Sequence, residues 1–216
     1  MSVTVVAYTI YHSPNAYLGH VLAERALAGL PVVVERRPIV VPRSRGVKVA
    51  DLVAGREAER HGRYHREDCL RWARRYGIPF EPPPPAAFAE RAARWAASPL
   101  AREELPARAY YAAVGSGKED ALDRALFRAA WVLGLDVNDE EVVRRAAATA
   151  GLDPDRHLAA AMAEGPGDMV RAALDAFDRD ECPGVPTWVV ASERFWGKDR
   201  VDWLAARVRE LAGAPA

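Results

Sequence analysis

Two rhythms of apolar positions run along this chain. Val3 to Ala7 is a short β-branched run and Pro31 to Val40 a second, and both predict strands. Between them Tyr17, Leu18, Leu22, Ala26 and Leu30 recur at helical spacing, behind Ser13 and Pro14 as N-cap and first-turn proline. The opening unit therefore reads as βαβ, with its two strands parallel.

From residue 45 to residue 180 the texture becomes alanine-, arginine- and glutamate-rich and helical throughout. One helix is predicted over 65–76, stopped by Gly77 and Pro79. Pro82 to Pro85 must then be extended. A second helix covers 120–133, with Leu122, Ala125, Leu126, Ala129 and Leu133 along one stripe. Asn138 with Glu141 signals the cap of a third, Asp153-Pro154 opens a fourth, and Gly165-Pro166-Gly167 closes it.

Strand character returns at 186–191, with Arg194 to Trp196 as a hairpin partner. A last helix over 199–211 turns Val201, Leu204, Ala205, Val208 and Leu211 inward. The order βαβ, helical block, ββα predicts an α/β class: a thioredoxin-like fold with a large all-helical insertion. Residues 1–44 and 180–216 form the thioredoxin-like domain, and 45–179 the inserted helical domain.

Composition narrows the partners. Half of the 216 residues are hydrophobic, enough for a sizeable core, and 30 basic residues balance 30 acidic ones. Nucleic acid and anionic membranes favour clustered positive charge, so neither is expected, and a small molecule is. No segment is apolar for long enough to span a bilayer, and the N-terminal residues do not resemble a signal peptide. Cys69 and Cys182, far apart and outside any CxxC or metal-ligand spacing, fit a reducing cytoplasm.

Three features carry candidate chemistry. Ser13-Pro14-Asn15-Ala16 stands at the first strand-to-helix junction, where redox thioredoxin folds place Cys-x-x-Cys. Unpaired N–H groups and the positive end of a helix favour an anion there, and a thiolate qualifies. The segment therefore reads either as a plain helix cap or as a serine donor to a thiolate supplied by a cofactor. In Gly184-Val185-Pro186-Thr187, a proline opening a strand is a candidate for a cis bond, and the residue before it can pair with a peptide-like ligand as an added strand. Asp199 reads as a helix cap or, beside Arg200, as half of a grip on a zwitterion. Lys198 is expected in solvent and Trp196 in the core. His12, which precedes Ser13, reads either as an ordinary packed residue or as a group that tunes a nearby thiolate.

In this order, and together with Tyr64 to Asp68, Arg71-Trp72-Ala73, Tyr76 to Phe80, Ala125 to Ala129 with Trp131, and Phe195 to Arg200, these segments resemble the glutathione-dependent 2-hydroxychromene-2-carboxylate isomerases. They equally resemble the related kappa-class glutathione transferases, within the broader DsbA-like group. The resemblance implies that Ser13 hydrogen-bonds the sulfur of glutathione, or of another low-molecular-weight thiol. It implies that Val185 pairs with the thiol peptide ahead of a cis Pro186, and that Asp199 and Arg200 hold its γ-glutamyl end. His61 falls near a lysine of the family, in a stretch, 52–62, that lacks the family's asparagine. His61, Arg56 and Arg60 read either as substitutes for that cation or as a solvated helix face. An aromatic substrate and a homodimer are implied as well. The rivals are a kappa-like transferase and a non-catalytic thiol- or peptide-binding protein; a dithiol oxidoreductase is disfavoured because Ser13 and Ala16 are not cysteines.

Overall fold

The computed structural model describes residues 2–40, 55–97 and 104–213. Residues 52–54, which begin the divergent stretch noted above, lie outside them.

Val3–Thr9 (β1) and Val32–Pro38 (β2) pair in parallel, from Val3 opposite Val32 to Thr9 opposite Pro38. The helix between them, Pro14–Leu27 (α1), buries Ala16, Tyr17, Leu18, Gly19, Leu22, Ala23 and Leu27. Thr187–Val190 (β3) adds to β1 antiparallel, and Glu193–Trp196 (β4) folds back on β3, giving the sheet order β2-β1-β3-β4. The β3–β4 turn is the two residues Ala191 and Ser192, with φ of 46° and 67°. Two left-handed residues in succession make the turn whose twist matches that of the strands it joins.

A 3₁₀ turn, Lys198–Arg200, leads into the last helix, Val201–Ala212 (α9). Val201, Leu204, Ala205 and Val208 are buried as the stripe requires. Leu211, expected to point inward, is exposed in the last turn before Gly213, which ends the helix at φ 66°.

The helical segments are Gly55–Tyr76 (α2), Pro85–Ala97 (α3), Leu105–Ala113 (α4), Glu119–Trp131 (α5), Glu140–Thr149 (α6), Pro154–Met162 (α7) and Glu164–Arg179 (α8). The described part of this region contains no strand. By its contacts the chain separates into two compact units, Met1–Ile39 with Ala172–Ala216, and Val40–Arg171. None of the described helices is long and apolar enough to cross a membrane.

Several boundaries differ from the expectation for local reasons. Pro85 is the first residue of α3 instead of the end of an extended run, because a first-turn residue needs no N–H donor. The preceding prolines stay extended, with Arg66 donating to Pro83 O at 2.7 Å and Pro82 O at 3.2 Å. Asp139, not Asn138, caps α6, its side chain accepting from Glu141 N, while Asn138 is buried. Gly165-Pro166-Gly167 does not close α7 but lies in the first turn of α8, where proline is tolerated. Leu133 lies past the end of α5 and is exposed.

Candidate functional site

Ser13 has extended backbone, φ −98° and ψ 116°, and its Oγ accepts from Ala16 N at 3.2 Å. Its carbonyl accepts the first helical bond, from Tyr17 N at 3.1 Å. Pro14 occupies the first helical position. A hydroxyl offers one donor and two acceptor sites. The cap uses one acceptor, so the Ser13 O–H remains a donor at the N-terminus of α1. The first turn of α1 holds no acidic residue, so the helix's own sequence does not offset its positive end.

The Val185–Pro186 bond is cis. Thr187 Oγ1 donates to Gly184 O at 2.6 Å, which holds the loop ahead of β3. Pro186 packs on α1 at Gly19, where a Cβ would lie 2.8 Å from Pro186 Cγ and 2.8 Å from Trp188 Cη2. Only glycine allows this approach. The main chain of Val185 makes no hydrogen bond among the described residues, so its N–H and C=O are open to an added strand.

Pro186 O accepts from Gly197 N at 2.9 Å, tying this loop to the 3₁₀ turn. Gly197 has φ 101°, a conformation suited to glycine. The next residue, Lys198, is buried instead of solvated, and its Nζ donates to Asn15 Oδ1 at 2.8 Å. Trp196 is exposed rather than packed in the core, with its indole against Gly184. Asp199 makes no cap bond to α9. Its carboxylate lies 2.6 Å from Arg200 Nη1, both half exposed, and the guanidinium also stands 5.1 Å from the centre of the Trp203 ring.

Ser13, Asn15, Val185, Pro186, Gly197 and Lys198 are therefore joined through α1, the cis-proline loop and the turn before α9. Asp199 and Arg200 follow directly on that turn. His61 is exposed on α2, in the helical unit. Cys69 and Cys182 are buried, and no disulfide joins them. Among the described residues no group of three His, Cys, Asp or Glu side chains is arranged to hold a metal ion. The Asn15–Lys198 pair and the contact of Gly19 with Pro186 join residues more than 160 positions apart, and nothing in the local pattern announces them.

A family model described as a DSBA-like thioredoxin domain matches residues 4–209. A 2-hydroxychromene-2-carboxylate isomerase of Sphingobium xenophagum is 28% identical over 205 residues, 94% of this chain and 97% of that protein. Among solved structures, a 2-hydroxychromene-2-carboxylate isomerase superimposes with a TM-score of 0.77 at 21% identity, covering 96% of this chain and 95% of the other. A probable DsbA oxidoreductase of Streptomyces coelicolor gives 0.73 at 20% identity, covering 99% and 92%. The cytosolic disulfide reductase DsbM of Pseudomonas aeruginosa, solved with GSH, gives 0.62 at 18%, covering 95% and 99%.

Proposed function

The chain belongs to the DsbA-like thioredoxin family, and from that premise we propose that it is a thiol-dependent isomerase of the 2-hydroxychromene-2-carboxylate isomerase type. It would act with glutathione, or another low-molecular-weight thiol, on an unsaturated aromatic keto acid. The observation that carries this reading is Ser13 with Ala16 at the N-terminus of α1, where dithiol chemistry needs two cysteines. The chain brings no thiol of its own to that position, and it brings a hydroxyl able to donate to one. Identity with the Sphingobium xenophagum isomerase across nearly the whole of both chains supports isomerisation as the chemistry.

The residues fit a thiol-bearing peptide. Val185, its main chain open ahead of Pro186, would pair with the ligand's backbone as an added strand. Asp199 and Arg200, which face solvent and neutralise each other, would exchange that mutual pair for the ammonium and carboxylate of a zwitterionic end. Ser13 O–H and the N-terminus of α1 would hold the sulfur as thiolate. A bound thiol of this kind supplies a nucleophile whose reversible addition to a conjugated double bond leaves a single bond free to rotate, so the net change is isomerisation. The part of the protein is to keep the sulfur ionised and to orient the alkene beside it.

The test is turnover of a 2-hydroxychromene-2-carboxylate, followed by its ultraviolet spectrum with and without glutathione while total free thiol is assayed. Conversion that requires glutathione and leaves free thiol constant is expected. Stoichiometric loss of thiol would make the protein a kappa-like transferase. Binding of glutathione without any conversion would make it a non-catalytic thiol-binding protein.

A further inference from the structure

We propose that Trp196 determines which thiols the site accepts: its indole is the wall against which the ligand unit next to the cysteinyl residue packs, so a thiol carried within a peptide is selected over a single-unit thiol. This inference rests on the thiol-dependent reading above and narrows its class of cofactor.

A single exposed indole is ordinary on a protein surface and says nothing by itself. The place of Trp196 does. Trp196 stands opposite Thr187 in the β3–β4 ladder, where directly opposed side chains lie on one face of the sheet. Thr187 Oγ1 donates to Gly184 O at 2.6 Å, and a Cβ on Gly184 would lie 2.9 Å from Trp196 Nε1 and 3.2 Å from its Cε2. Both side chains of that cross-strand pair therefore close on Gly184, the residue before Val185. Trp196 nevertheless stays 53% exposed. Trp72 stacks on Tyr76 and Trp131 on Phe80, Arg200 stands over Trp203, and Trp188 is buried. Trp196 has no ring or cation partner among the described residues, so ring surface is left open beside the loop.

The hydrogen bonding of the loop shows where a ligand continues. A strand added at Val185 uses that residue's N–H and C=O. Beyond Val185 the pairing stops, because Pro186 has no N–H and its carbonyl already accepts from Gly197 N at 2.9 Å. On the other side stands Gly184, which has no side chain of its own, so the surface a neighbouring ligand unit meets there is the Trp196 indole. Successive residues of an extended strand are about 3.3 Å apart, which brings that unit within packing distance of the ring. Glutathione has an amide-linked unit on each side of its cysteine, so one of them runs along Gly184 whichever way the ligand strand points. A single-unit thiol has none.

The test is isothermal titration of the full-length protein with glutathione and with N-acetylcysteine N-methylamide, which offers the same cysteinyl amides and thiol but only a methyl group beyond each amide. Wild type is expected to bind glutathione more tightly. Trp196→Ala should weaken glutathione by about fivefold or more and leave the methylamide unchanged, while Trp196→Phe, which keeps a ring, should restore most of the loss. Trp196 is half exposed on the edge strand β4, so neither substitution empties the core. A readout on wild type alone is the indole N–H resonance of Trp196, identified by its absence from Trp196→Phe, which should shift further with glutathione than with the methylamide. Unchanged glutathione affinity in Trp196→Ala, equal weakening of both ligands, or tighter wild-type binding of the methylamide would overturn the role of Trp196 alone. Failure of wild type to bind either thiol would overturn it together with the thiol-dependent reading.

Discussion

Tyr8 donates a 2.6 Å hydrogen bond through its phenol to Asp180 Oδ2, joining β1 to the residue just past the end of α8. The Tyr8 ring is fully buried and meets Phe177 edge-on at 5.4 Å, while Arg37 Nη1 donates to the same phenol oxygen at 3.0 Å. Burial and the bond to Asp180 push the Tyr8 pKa up to about 12, against the opposing pull of Arg37. Tyr8→Phe removes the hydroxyl and leaves both partners with a lost bond. The expected loss in denaturant-derived stability is about 1–3 kcal/mol near neutral pH. The pH dependence has a definite sign. An unfolded tyrosine titrates near about 10 and the folded one near about 12, so this contribution is full below the lower value and fades as pH rises through the higher. Stability should therefore fall less between mildly and strongly alkaline solution in Tyr8→Phe than in wild type.

His157 makes the opposite prediction on the acid side. It is buried on α7, and Nε2 has no hydrogen-bond partner among the described residues. Burial lowers its pKa, and a hydrogen bond to the Ala109 carbonyl works against that shift. The folded protein thus holds His157 neutral where the unfolded chain would begin to take up a proton. Its contribution is present above the ordinary histidine value near about 6.5 and is lost as pH falls below it toward the lower folded value. His157→Leu should cost about 1 kcal/mol at pH above neutrality, through the bond to Ala109. Its urea midpoint should then drop less than that of wild type on moving to mildly acidic buffer.

Gly19 tests the approach of α1 to the cis-proline loop. An alanine there would place its Cβ 2.8 Å from both Pro186 Cγ and Trp188 Cη2, closer than packed carbons come. Helix and loop must separate, at a cost of about 1–3 kcal/mol. Because Pro186 follows Val185, the same movement should weaken glutathione binding by calorimetry. Gly62→Ala is the matched control. It lies on α2 with nothing within 4 Å of the new methyl, so it should gain about 0.5–1 kcal/mol from helix propensity alone.

The candidate site was legible where its signal is local. Ser13-Pro14 announces a helix start because a cap hydroxyl and a first-turn proline act within three residues of each other. Val185-Pro186 stands out because proline opens the strand that follows the helical block. The same local reading failed for Lys198, since whether a lysine is buried depends on an acceptor, Asn15, that lies 183 residues away. It failed for Gly165-Pro166-Gly167 because proline disrupts a helix interior yet is tolerated in the first turn, and α7 and α8 are separated by Ala163 alone. It failed for Asp199 because a 3₁₀ turn, Lys198–Arg200, precedes the helix, which begins only at Val201 and leaves Arg200 at the cap position, while the Asp199 carboxylate pairs with Arg200. The order of elements survived these misses, since the apolar stripes of β1, α1, β3 and α9 each span several residues and tolerate one wrong boundary.

Ser13 has two separable roles, and two substitutions separate them. As a cap, its Oγ accepts from Ala16 N at 3.2 Å; as a site residue, its O–H would donate to sulfur. Ser13→Ala loses both, with a stability cost of about 1 kcal/mol from the cap. Ser13→Asp keeps the cap, because a carboxylate accepts from the same N–H and suits the helix end, but it has no proton to donate and repels a thiolate. The aspartate variant should therefore match wild type in denaturant stability and lose turnover by about a hundredfold or more, the scale seen when one donor to a reacting anion is removed. Stability measured by urea titration and turnover measured on the same preparation decide the matter. An aspartate variant that keeps wild-type turnover would reduce Ser13 to the end of a helix.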